Sequence, residues 1–84
     1  MPNEEISKIR GIVKYLLNKS EDDIKALSDD EVIQRYYQII DNNISNIEAL
    51  QAQYNDRTGN NLTMLVSDLI LWFISENKPM NLNV

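Results

Sequence analysis

Apolar residues recur along the chain at helical three-and-four spacing, and no stretch alternates in the period-two pattern of a half-buried strand. The first stripe is Ile6, Ile9, Ile12, Val13, Leu16 and Leu17. Asn3, followed by Glu4 and Glu5, reads as an N-cap with acids in the first turn, and the helix is expected to run to about Asn18. Gly11 lies inside it, where glycine costs ~1 kcal/mol relative to alanine. Close packing or simple tolerance would account for it. Ser20 before Glu21, Asp22 and Asp23 predicts a second, short helix carrying Ile24 and Leu27. Ser28 with Glu31 three residues on is a capping box opening a third helix, with Val32, Ile33, Tyr36, Tyr37 and Ile40 as its buried stripe.

Asp41-Asn42-Asn43 breaks that pattern, since both residue types favour turns and caps. Ser45 with Glu48 reads as another capping box, leading a fourth helix edged by Ile47, Leu50 and Tyr54, with Gln51, Gln53, Asn55 and Asp56 facing out. Gly59 stops it, and Asn60-Asn61 turns the chain. The fifth helix, across 61–77, carries Leu62, Leu65, Val66, Leu69, Ile70 and Phe73, with Leu71, Trp72 and Ile74 widening the stripe beyond one face. A helix apolar nearly all round must be enclosed by other elements or by a partner. Pro79 is expected to end it, leaving 80–84 as a loose C-terminal tail. The expected fold is all-α: a compact bundle of four to five short helices, with the apolar C-terminal helix at its centre.

At 84 residues the chain has room for one domain, 1–84. A domain this small buries roughly 60% of its unfolded surface, so its margin of stability is thin. Cysteine is absent, which removes disulfides and thiolate metal sites and fits a reducing compartment. No signal-peptide pattern opens the sequence, and the apolar run near the end is too short to span a bilayer. The expected location is the cytoplasm, with no membrane association.

The 13 acidic and 8 basic residues give a net charge of −5, and the basic residues are scattered. Only Lys8, Arg10 and Lys14 are neighbours, so nucleic acid is disfavoured as the main partner. Without histidine or cysteine the chain lacks the commonest general base and the strongest nucleophile, and two glycines cannot build a phosphate-cradling loop. It is expected not to be an enzyme and to need no cofactor. The acids of 21–31 lack the alternate spacing and the glycine of a calcium loop. They sit where acids stabilise helix N-termini, or could form a docking patch. Tyr36 and Tyr37 diverge by ~100° on a helix, so one is core and the other rim.

The reading from these residues is a small acidic, non-enzymatic protein–protein interaction module of the accessory, inhibitor or adaptor kind, of phage or plasmid type. It docks through a helix face, with Asp29, Asp30, Glu31, Tyr37 and Trp72 as partner-binding residues. Homodimerisation through Leu71, Trp72 and Ile74 is a related possibility. A dimeric DNA-binding regulator using Lys8, Arg10 and Lys14 is a more distant alternative.

Residues 12–17 through Glu21-Asp22-Asp23-Ile24, together with Tyr36, Ile40, Ile47, Leu50, Tyr54, Gly59 and Leu62, resemble small acyl or peptidyl carrier proteins. That resemblance implies a four-helix domain with phosphopantetheine on a serine. The matching position holds Ile44, with Ser45 one residue later and no Asp-Ser or Gly-Gly-x-Ser before it. A carrier-like domain modified at Ser45 is therefore the alternative reading. Leu27-Ser28-Asp29-Asp30, leading to Val32-Ile33 and Tyr36-Tyr37, also looks like the start of helical-hairpin inhibitors of sporulation kinases. This likeness stops before the second helix.

Overall fold

The computed structural model describes residues 2–84, which form five helices and no strand: α1 (Asn3–Leu16), α2 (Glu21–Lys25), α3 (Asp29–Asp41), α4 (Ile44–Thr58) and α5 (Val66–Ser75). Two of the expected starts are made as the sequence implies. Ser20 Oγ accepts the Asp23 N–H at 3.1 Å. Ser28 Oγ accepts the Glu31 N–H at 3.1 Å while Glu31 Oε1 accepts the Ser28 N–H at 3.0 Å, a complete capping box. The Ser28 backbone N–H, and then its hydroxyl, hold the Glu31 carboxyl below the usual carboxylate range.

Two expected starts are corrected. Asn3 is already helical; Pro2 is the flanking residue, and its carbonyl accepts the Ile6 N–H at 3.1 Å. Ser45 lies inside α4, and the N-cap position is held by Asn43, whose side chain makes no capping bond because it is engaged elsewhere.

Three of the five helices end at left-handed residues. Gly59 (φ 74) stops α4 as expected. Asn18 (φ 52) and Asn77 (φ 53) do the same for α1 and α5, with Lys19 N–H donating to Lys14 O at 3.0 Å and Lys78 N–H to Phe73 O at 2.9 Å. Asparagine enters this region more readily than other side-chain-bearing residues. Asn77 therefore ends α5 before Pro79 is reached.

Two apolar clusters form the core. One joins Ile9, Ile12 and Val13 of α1 to Ile24, Val32, Tyr36 and Ile70, and the other joins Ile47 and Leu50 of α4 to Leu69 and Phe73. Helix α5 is the element common to both. On α3 the buried positions are Val32, Tyr36 and Ile39, with Ile33 and Ile40 part-buried beside them. Tyr36 is 6% exposed and Tyr37 50%, so the pair divides between core and rim as its 100° divergence requires.

The largest departure from the expected pattern precedes α5, which begins at Val66 rather than near Asn61. Leu62 and Leu65 lie outside the helix and are 68% and 66% exposed. Gln51, expected to face out, is the cause: its Nε2 donates to Leu62 O at 3.0 Å and its Oε1 accepts the Met64 N–H at 3.0 Å. A carboxamide has the donor–acceptor pair of a peptide bond, so it holds 62–64 out of the helix and against α4. Met64 meanwhile packs on the second cluster.

Residues 80–84, expected to be a loose tail, are seated. Met80 and Leu82 pack on both clusters, and Asn83 is paired with Asn43. The apolar surplus of α5 is also taken up within the chain, since Leu71, Trp72 and Ile74 are part-buried against the two clusters.

Candidate functional site

The five residues singled out from the sequence are not brought together as one site. Asp29 accepts from Arg10 Nη2 at 2.7 Å, while Arg10 Nη1 donates to the carbonyls of Ile24 and Leu27 at 2.7 and 3.1 Å. One guanidinium thus closes the end of α2 and anchors the start of α3. Glu31 completes the capping box, and Asp30 is exposed without a bonded partner among the described residues. The acidic segment is therefore tied mainly to helix starts. Lys14 pairs with Glu21 and holds its carboxyl below the usual range.

Trp72 sits within an aromatic train. Its ring meets Tyr54 edge-on at 5.2 Å and Phe73 at 5.0 Å, leaving it part-buried. Such T-shaped pairs add ~0.5–1.5 kcal/mol each beyond their burial. The ring is chiefly a structural link between α4 and α5.

Tyr37 is more open, half of it exposed. Asp30, Gln34, Tyr37 and Asp41 follow at four-, three- and four-residue steps and are all exposed, so they share the solvent face of α3. The Tyr37 ring stands edge-on to Tyr36 with centroids 5.5 Å apart. It borders a depression of about 220 Å³ lined also by Glu5, Ile9, Ile40, Leu65 and Ser67. Leu65 reaches the same opening from the non-helical segment before α5. Apolar side chains line this depression together with one carboxylate.

The polar groups there are bonded to one another. Ser67, 2% exposed, donates its hydroxyl to Glu5 Oε1 at 2.7 Å. Burial, then the Glu5 carboxylate and the Tyr37 hydroxyl, push the Tyr36 phenol up to about 12, against a smaller opposing hydrogen bond with Ser67. Nearby, Lys8 Nζ lies 3.1 Å from Asp68 Oδ1, and that bond raises the lysine pKa. The carboxylate and Tyr37 were both visible in the sequence, but only the fold brings Glu5, Ser67 and Leu65 beside Tyr37.

Among the described residues no group of three or more acidic side chains converges as a metal site, and no helix is long and apolar enough to cross a membrane. Ser45 is exposed in the first turn of α4. Compared with protein-family models, characterised proteins and solved structures, the chain matches none.

Proposed function

We propose that the chain is a non-enzymatic protein–protein interaction module of the accessory, inhibitor or adaptor kind, docking its partner on the α3 face around Tyr37. The observation that carries this reading is the depression bordered by half-exposed Tyr37 and exposed Leu65, with the Glu5 carboxylate in its wall. Tyrosine is an effective interface anchor because it offers a large apolar ring with few rotors and a hydroxyl that tolerates water. Glu5, Asp30 and Asp41 surround or follow that face, with Gln34 beside them. The complementary partner is a basic segment: a lysine or arginine reaching Glu5, next to an apolar residue resting on Tyr37 and Leu65.

Photo-crosslinking in the native cell tests this, with a benzophenone amino acid placed at Tyr37, at Leu65, or at Gln53 on the exposed side of α4. A discrete adduct with one second chain is expected from the first two positions and not from Gln53. Adducts equal at all three, or none at Tyr37 and Leu65, would remove this face as the docking surface.

A further inference from the structure

Gly11 is exposed on α1 and has an ordinary helical φ, and a Cβ built on it would meet nothing within 4 Å. Neither backbone conformation nor packing within the chain requires glycine there, although glycine weakens a helix interior. The residue lies where two depressions meet. One, about 780 Å³, is lined by Lys14, Tyr15, Asn18, Lys19, Glu21 and Ile74. The other, about 260 Å³, extends toward Arg10, Ile24 and Lys25.

The charge of this groove opposes that of the molecule. Arg10, Lys14, Lys19 and Lys25 line it, half of the chain's 8 basic residues, against one acid, Glu21, in a chain of net charge −5. Arg10 is committed to α2 and Asp29, and Lys14 to Glu21. Lys19 and Lys25 make no side-chain hydrogen bond among the described residues, while Tyr15 is 52% exposed at the rim. Left-handed Asn18 turns the chain so that Lys19 N–H returns to Lys14 O, which brings Lys19 back over the end of α1.

We propose that this groove is a second docking surface, whose occupant is an acidic amphipathic helix of a partner protein. Its apolar side would lie against Tyr15 and Ile74, its carboxylates would reach Lys19 and Lys25, and Gly11 would allow close approach to α1. Two uncommitted lysines on an acidic body suit a few carboxylates better than a polyphosphate backbone. The surface is independent of the Tyr37 face, and with it makes the chain a bridge between two partners of opposite charge.

The test is an amide NMR titration of the intact protein with three probes. These are a synthetic amphipathic helix of about four turns with glutamates on its polar face, the same peptide with lysines instead, and a short DNA duplex. The acidic peptide alone is expected to shift Gly11, Tyr15 and Lys19, and Gly11→Leu to abolish those shifts. Lys19→Glu with Lys25→Glu should transfer the response to the basic peptide. Gly11→Ala should raise the melting temperature by a few degrees, because no internal contact opposes the added methyl. No shift from the acidic peptide, a response to DNA or to the lysine peptide in the wild type, or a lower melting temperature for Gly11→Ala would each overturn the proposal.

Discussion

Replacing Asn43 with alanine should cost more stability than its position in a turn implies. The side chain is 1% exposed and uses its whole bonding capacity. Nδ2 donates to Ile39 O and to Asn83 O, each at 2.7 Å, and Oδ1 accepts the Asn83 N–H at 2.7 Å and Asn46 Nδ2 at 3.0 Å. One carboxamide thus satisfies a carbonyl in the last turn of α3 and pairs reciprocally with Asn83. A buried bond is worth about 1 kcal/mol net, and a stranded partner costs about 1–3. Water can reclaim the Asn83 groups but reaches Ile39 O less easily, so the expected loss is about 2–3 kcal/mol. A domain of this size has roughly 4–13 kcal/mol in total, and the melting temperature should fall by roughly 10–20 °C.

Urea unfolding would measure the loss, and amide exchange at Asn83 would show whether the pairing has gone. The Ala penalty should shrink in a chain truncated before Met80, because two of the four bonds are then already missing. Asn43→Asp should be worse at neutral pH, since it sets a carboxylate against two carbonyls. The folded state raises that carboxyl's pKa, so the variant should recover stability as pH falls and protonation restores a donor. A loss below ~1 kcal/mol for Asn43→Ala, with unchanged protection at Asn83, would refute the account of this junction.

Ser28→Ala should cost about 1 kcal/mol in urea unfolding. Because the capping box lowers the Glu31 pKa, its contribution is present above the ordinary carboxylate pKa and is lost as pH falls through the depressed value; carboxyl NMR should show that depression lessened but not abolished in Ser28→Ala, which removes the hydroxyl and keeps the backbone N–H. Tyr36 should titrate near 12 by ultraviolet absorbance. A raised phenol pKa means that its contribution is complete below about 10 and lost as pH rises toward 12, a loss that Tyr36→Phe should lessen. Leu71→Ser with Trp72→Ser should unfold a monomer by several kcal/mol, in the range of large core truncations; a folded monomer obtained from a wild-type dimer would instead place a self-association seam on α5.

Much of the fold could be read from the sequence because local rules and tertiary packing agree there. Ser20 and Ser28 cap the helices that follow them, Gly59 stops α4, and adjacent Tyr36 and Tyr37 must point apart. Misreadings cluster where a side-chain amide replaces a backbone partner. Gln51 binds 62–64 and so delays the start of α5, while Asn43 binds Asn83 and seats an expected tail. Neither leaves a local pattern, because each joins segments distant along the chain. The candidate site was legible only at Tyr37. Asp29 and Glu31 looked available until Arg10 and Ser28 were placed beside them, and Trp72 until its aromatic neighbours were.

The central claim, a protein partner docked at Tyr37, is tested most directly by native mass spectrometry of the chain isolated gently from its own cell. The wild type should carry one second chain at fixed stoichiometry, and Tyr37→Ala should lose it while remaining folded. A bare monomer in the wild type, or a complex indifferent to Tyr37→Ala and Leu65→Ser, would contradict it.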